Sequence, residues 1–205
     1  MKTPKFLYFD LGKVLVDFSY QRMFRQMAAA VGVEPVRVEE TLVSSGLQNL
    51  YESGKISGRE FAERFCLATG GACDCDTLLA AHNDIFALNP TMLAVVAQLG
   101  LAGYRLGVLS NTCQGHWEHC RRQYRILDTF SVYALSYRVG ACKPAAQIFQ
   151  AAAEMAGCRP AEIFYTDDIA GHVAAAQSMG FDAVQYASTP QLVAELRNRG
   201  VRFNY

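Results

Sequence analysis

Two rhythms of apolar residues run along this chain. Short runs rich in aromatic and β-branched residues recur at Lys5–Phe9, Tyr104–Leu109, Ser131–Leu135, Glu162–Thr166 and Phe181–Tyr186. Most are apolar at successive positions, not at every second one. That pattern predicts strands covered on both faces, as in a parallel sheet. Between them, Pro90–Leu101, His116–Tyr124, Ala145–Ala156 and His172–Met179 carry apolar residues at helical spacing. Gly100, Gly157 and Gly180 stand where those helices would end. Strand and helix alternate, so the pattern predicts an α/β domain built on a doubly wound parallel sheet.

One stretch breaks the alternation. From about Phe18 to Leu88 the pattern is helical, with no convincing strand. Helices are expected at Tyr20–Val31, Pro35–Gly46, Gly58–Thr69 and Asp74–Phe86, and Ser57 with Glu60 makes a capping box before the third. This predicts a helical cap over residues 18–88, inserted into a core formed by 1–17 and 89–205.

Composition narrows the partners. Lys+Arg and Asp+Glu are both 19, so the chain offers no general field for nucleic acid or an anionic membrane. No apolar run reaches the roughly 18 residues of a membrane span. The N-terminal MKTPKFLYFD meets a carboxylate too early for a signal peptide, which predicts a cytoplasmic protein. Seven scattered cysteines, an odd number, predict reduced thiols. Cys73 and Cys75 lack the second pair that a zinc knuckle needs.

In open parallel sheets, ligands bind beyond the carboxyl ends of the strands. Asp10 follows the first strand, Ser110 and Asn111 the second, Lys143-Pro144 the third region, and Asp167-Asp168 the fourth. Each has a plain structural reading as a turn, a helix start or a cap. Together they are one lone carboxylate, hydroxyl and amide donors, an ammonium and a carboxylate pair. Those groups can handle a phosphoryl group with a hard divalent cation.

The stretches FDLGKVLVD, GVLSNT, GACKP and IFYTDD, in this order, resemble the haloacid dehalogenase (HAD) superfamily. The helical insertion after the first resembles the cap of that superfamily. The Asp-Leu-Gly motif looks most like the cap-bearing phosphatases, sugar-phosphate phosphatases among them. The resemblance implies an Mg²⁺-dependent phosphatase of a small phosphorylated metabolite, with no nucleic acid or membrane as partner. It implies Asp10 as a nucleophile forming an aspartyl phosphate, and Lys143 as the cation that offsets the developing charge. Ser110 and Asn111 would donate to phosphoryl oxygens. Asp10, the Gly12 carbonyl, Asp167 and Asp168 would surround Mg²⁺, with Asp168 as direct ligand and Asp167 as its neighbouring acid. Two other classes share the motifs: a 2-haloacid dehalogenase, against which the Asp167-Asp168 pair argues, and a non-catalytic binding protein on the same fold.

Gly12 departs from the phosphatase pattern. Many relatives carry there an aspartate that protonates the leaving group and later activates water. Glycine suits a tight loop but moves no proton. Asp17 is the nearest acid in sequence. His116, Trp117 and His119 follow the second motif and would face the cleft or the cap, His119 more simply the helix surface. His172 would crowd the metal site or only the helix start. His82 would have no chemical role. Tyr51, Lys55 and Arg59 of the cap would meet substrate or form a solvated face.

Overall fold

The computed structural model describes residues 3–205. The chain enters as β1 (Phe6–Phe9), each residue fully buried, and passes through β2 (Val16–Phe18) into five helices. These are α1 (Tyr20–Val31), α2 (Pro35–Ser45), α3 (Leu47–Glu52), α4 (Gly58–Thr69) and α5 (Cys75–Asn83). It returns through β3 (Phe86–Leu88) and continues as α6 (Pro90–Leu101), β4 (Leu106–Ser110), α7 (Gln114–Gln123), β5 (Val132–Leu135) and α8 (Ser136–Val139). The remainder is α9 (Ala146–Ala156), β6 (Ile163–Asp167), α10 (Ala170–Ser178), β7 (Asp182–Gln185) and α11 (Thr189–Asn198).

Five strands form one parallel sheet in the order β5-β4-β1-β6-β7. Successive side chains of a strand leave on opposite faces. Leu7 and Phe9 therefore pack with Val95 and Leu99 of α6, Trp117 of α7 and Leu196 of α11. Phe6 and Tyr8 pack the other way, with Ile148 and Phe149 of α9 and Val173 of α10. The apolar runs are continuous because both faces are covered. Burying one such side chain contributes about 1.5–3 kcal/mol. With β1 central, its carboxyl end lies between those of β4 and β6.

The cap has its own core, in which Met23, Met27, Val38, Phe61, Phe65 and Leu78 are buried together. Its helices begin and end where local chemistry says they should. Ser57 and Glu60 close the capping box of α4, and Asp74 caps α5 by accepting from the Thr77 N–H.

Three parts of the helical reading need correction. Val16–Phe18 and Phe86–Leu88 pair as an antiparallel ladder, with Phe18 opposite Phe86. The last cap helix therefore stops at Asn83, short of the Phe86 that helical spacing suggested. Three-residue strands are too short to display a period. Gly46 also does not simply end a helix: at φ 64° it turns the chain from α2 into the unexpected α3. Gly100 lies inside α6, and Gly103 takes the left-handed turn instead.

Candidate active site

The β1–β6 register carries on one residue past the strand, as the Asp10 N–H donates to the Thr166 carbonyl at 3.0 Å. This sets the Asp10 side chain at the sheet edge, where its Oδ1 accepts from the Leu11 N–H at 2.7 Å. Lys143 is brought beside it from the loop before α9. The Asn111 carboxamide clamps that loop: its Nδ2 donates to the Lys143 carbonyl at 2.9 Å, and its Oδ1 accepts from the Lys143 N–H at 2.7 Å. The Asn111 carboxamide thus positions Lys143, a contact that the sequence did not reveal.

The Lys143 ammonium is fully buried and fully partnered. Its Nζ lies 3.0 Å from Asp10 Oδ1 and 2.6 Å from Asp167 Oδ2. It also donates to the Leu109 carbonyl at 3.2 Å and the Tyr165 hydroxyl at 3.0 Å. A buried ammonium is tolerated only with such a set of acceptors. Asp167 is held from several sides: Tyr165 donates its hydroxyl to Oδ2, the Ile169 N–H reaches Oδ1 at 2.8 Å, and His172 Nδ1 lies 3.1 Å from Oδ2. His172 therefore does more than start a helix; it grips Asp167. Tyr165 was not singled out from the sequence. The strand period places it on the same face as Asp167, which is the signal that could have found it.

These contacts set the charges. Burial pushes the Asp10 carboxyl up to about 6, opposed by the Lys143 ammonium and reinforced by the Asp167 charge. Burial acts on Asp167 in the same direction. The hydrogen bond from His172 and the charge and hydrogen bond of Lys143 outweigh it, and hold Asp167 well below the usual carboxylate range. Burial, then the Asp167 charge, raise Asp168. Oxygens of Asp10, Asp167 and Asp168 lie within 4.8 Å of one another. An all-carboxylate set of this kind fits a hard divalent cation such as Mg²⁺ and relieves the repulsion among the acids.

Above this edge opens a cleft of ≈ 270 Å³ lined by Asp10, Gly12, Ser110, Lys143 and Asp168, with Phe18, Tyr20 and Glu52 on the cap side. A second recess of ≈ 60 Å³ shares Gly12, Phe18, Tyr20 and Glu52 with it and reaches Ile85, Phe86 and His116. Gly12 is not left-handed; what it provides is space. A Cβ there would lie 2.8 Å from the Phe18 ring, so the place of a side chain at position 12 is taken by Phe18. The next residue, Lys13, adopts φ 59° and donates to the Phe18 carbonyl at 3.2 Å, folding back over the ring. A non-glycine residue in that region is a local strain of the kind that clusters at functional sites.

Other candidates fall elsewhere. Asp17 pairs with Lys13 at 3.4 Å, its side chain 63% exposed, and does not line the cleft. Tyr51 is buried in the seam between cap and core, where its hydroxyl accepts from the Gly115 N–H at 3.1 Å. Lys55 and Arg59 are exposed. Trp117 belongs to the core. His119 is 13% exposed, tucked near Asp84 rather than on an open helix surface. Glu52, Phe18 and Tyr20 went unread because only tertiary docking brings the cap over the sheet edge.

A second group of metal-ligating types, His82, Cys113 and His116, is buried in the seam. Three of its ring nitrogens are already engaged. His82 places Nδ1 2.9 Å from Asn83 Oδ1 and Nε2 2.9 Å from Gln48 Oε1, and His116 Nε2 lies 3.2 Å from the His82 carbonyl. The two imidazoles stack at 4.3 Å. Among the described residues, Cys73 and Cys75 join no such group.

A parallel sheet that presents carboxylates and a buried ammonium at its carboxyl edge has its ligand site at that edge. The chain belongs to the haloacid dehalogenase-like hydrolases: the model of that family matches residues 5–180. Its structure is similar to that of a HAD family enzyme from Bacteroides thetaiotaomicron, solved with magnesium and inorganic phosphate. That likeness has 28% identity and a TM-score of 0.78, over 89% of this chain and 93% of that one. A predicted HAD-like family hydrolase from Porphyromonas gingivalis shares the fold at 24% identity and a TM-score of 0.82, over 95% and 98% of the two chains. The L-2-haloacid dehalogenase of Xanthobacter autotrophicus shares it at 17% identity and a TM-score of 0.65, over 97% and 84%. Among the described residues, no helix is long and apolar enough to cross a membrane.

Proposed function

We infer that this protein is an Mg²⁺-dependent phosphatase of a small phosphorylated metabolite, such as a sugar phosphate. The observation that carries this is the convergence of Asp10, Asp167 and Asp168 within 4.8 Å, beside the buried Lys143. A dehalogenase attacking a neutral carbon–halogen bond gains nothing from a trio of acids. A dianionic phosphate brought up by a cation does. The magnesium and phosphate carried by the Bacteroides relative support the same choice.

Asp10, Asp168 and the Gly12 carbonyl would hold the cation, and Asp167 would border it while orienting Lys143. When bound, Mg²⁺ would offset charge on the phosphate as it approaches Asp10. Lys143 and the Leu11 N–H both hold Asp10 Oδ1. We therefore assign the attack on phosphorus to Oδ2. Carboxylate attack forms an aspartyl phosphate, which water then hydrolyses. Ser110 and Asn111, which line the cleft, would donate to phosphoryl oxygens, and Lys143 would stabilise their charge in the transition state. Phe18 and Tyr20 supply apolar surface for the organic part of the substrate.

The test is phosphate release from a panel of small phosphate esters, with Mg²⁺ and after exhaustive chelation. A parallel arm follows halide release from 2-haloacids. Phosphate release that disappears on chelation is expected. Metal-independent halide release without phosphate release would replace this reading with the dehalogenase one.

A further inference from the structure

Hydrolysis of an unactivated phosphate ester needs a proton for the leaving oxygen, and the first motif cannot supply it. Position 12 has no side chain, and Phe18 fills the space where one would project. Asp17 faces away, paired to Lys13. The last residue of α3, Glu52, lines the same cleft as Asp10, Lys143 and Asp168, and it lines the smaller recess as well.

That carboxyl is held in place. Gln48 Nε2 donates to Glu52 Oε1 at 2.8 Å, and Gln48 is in turn fixed by its Oε1 at 2.9 Å from His82 Nε2. The backbone is pinned as well. Ser136 Oγ donates to the Glu52 carbonyl at 2.6 Å and accepts from the Thr112 N–H at 2.9 Å. The end of α3 is thus tied to the loop just after Ser110 and Asn111. Gly54 permits the approach, since a Cβ there would lie 2.2 Å from the Tyr137 carbonyl oxygen.

We propose that Glu52, reaching down from the cap, is the general acid and base of this site. The role rests on the phosphatase reading above. In the first half-reaction Asp10 Oδ2 bonds to phosphorus, the bond from phosphorus to the leaving oxygen breaks, and that oxygen takes the proton of the Glu52 carboxyl. In the second, the Glu52 carboxylate takes a proton from water as its oxygen bonds to phosphorus, and the aspartyl–phosphorus bond breaks to return the Asp10 carboxylate. Phosphate leaves and Glu52 is protonated again. The Gln48 amide on Oε1 keeps the transferable proton on Oε2. Burial raises the Glu52 carboxyl, with the Gln48 hydrogen bond opposing. That is the direction an acid working near neutrality requires.

The test compares wild type with Glu52→Gln, which keeps the Gln48 contact. The substrates are p-nitrophenyl phosphate and benzyl phosphate, similar in size, with Mg²⁺ saturating. The p-nitrophenolate leaves without a proton; the benzyl alkoxide does not. In single turnover, alcohol release from benzyl phosphate should fall by ~10²–10⁴-fold, while p-nitrophenol release stays within a few-fold. Without the base, the phosphorylated enzyme should accumulate and show as an added phosphoryl mass on the intact protein. Added formate should restore benzyl phosphate turnover to Glu52→Ala. Equal losses on both esters, or none on either, would overturn the role of Glu52 while leaving the phosphatase reading standing. A wild type inert to both esters would overturn both.

Discussion

At the scale of single residues, the site is organised around Lys143. One ammonium joins Asp10 to Asp167, and both carboxylates are nearly or fully buried. Removing it leaves two acids facing each other without compensation, which costs about 3–5 kcal/mol in buried pairs. Lys143→Ala should therefore lose both stability and catalysis, the latter by ~10²-fold or more, as for a deleted oxyanion donor. Mg²⁺ should raise the melting temperature of the variant more than that of wild type, because the cation replaces part of the missing charge. A rise no larger than that of wild type would mean that the cation and Lys143 do not share these carboxylates. The residues of this core were legible because each follows a strand, and strand ends converge by topology. The partners Tyr165 and His172 needed the fold. So did the contacts by which Asn111 positions Lys143.

At the scale of elements, the cap is coupled to the core by short, close contacts. Gly54 sits at φ 68° with its Cα facing the Tyr137 carbonyl. Gly54→Ala should strain the backbone and push α3 off α8, at about 1–3 kcal/mol. Turnover should fall as Glu52 leaves the cleft, while the binding of inorganic phosphate to the core is kept. Equal loss of both would place the effect in the core. In the same seam, burial holds His82 down at about 4, and burial with the His82 charge holds its stacked neighbour His116 well below the usual imidazole range. The sign follows directly. The unfolded chain takes these protons first, so the stability from His82 is present above about pH 6.5 and is lost as pH falls toward 4. Its size is up to about 3 kcal/mol. Urea unfolding at pH 7 and pH 5 should show the drop, and His82→Leu should flatten it. An equal slope in the variant would assign the effect to other groups. Helices α1, α4 and α6 were readable almost to the residue, because capping chemistry and apolar spacing are local. The β2–β3 ladder was not, since its pairing spans the whole cap in sequence and each strand has three residues.

At the scale of the whole molecule, the sheet and its carboxyl edge follow from alternation alone. Each expected core strand lies within two residues of its observed span. What the sequence could not convey is which cap side chains hang over that edge. Such contacts depend on how two hydrophobic cores dock, and no periodicity records that. The proposed phosphatase activity depends on one covalent event, the transfer of a phosphoryl group to Asp10. Acid-quenching the enzyme during turnover of a phosphate ester with Mg²⁺, followed by peptide mass analysis, tests it most directly. One phosphoryl group on the peptide containing Asp10 is expected, absent after chelation and absent from Asp10→Asn. Turnover with that peptide unmodified, or modified by the ester of a 2-haloacid without metal, would contradict it.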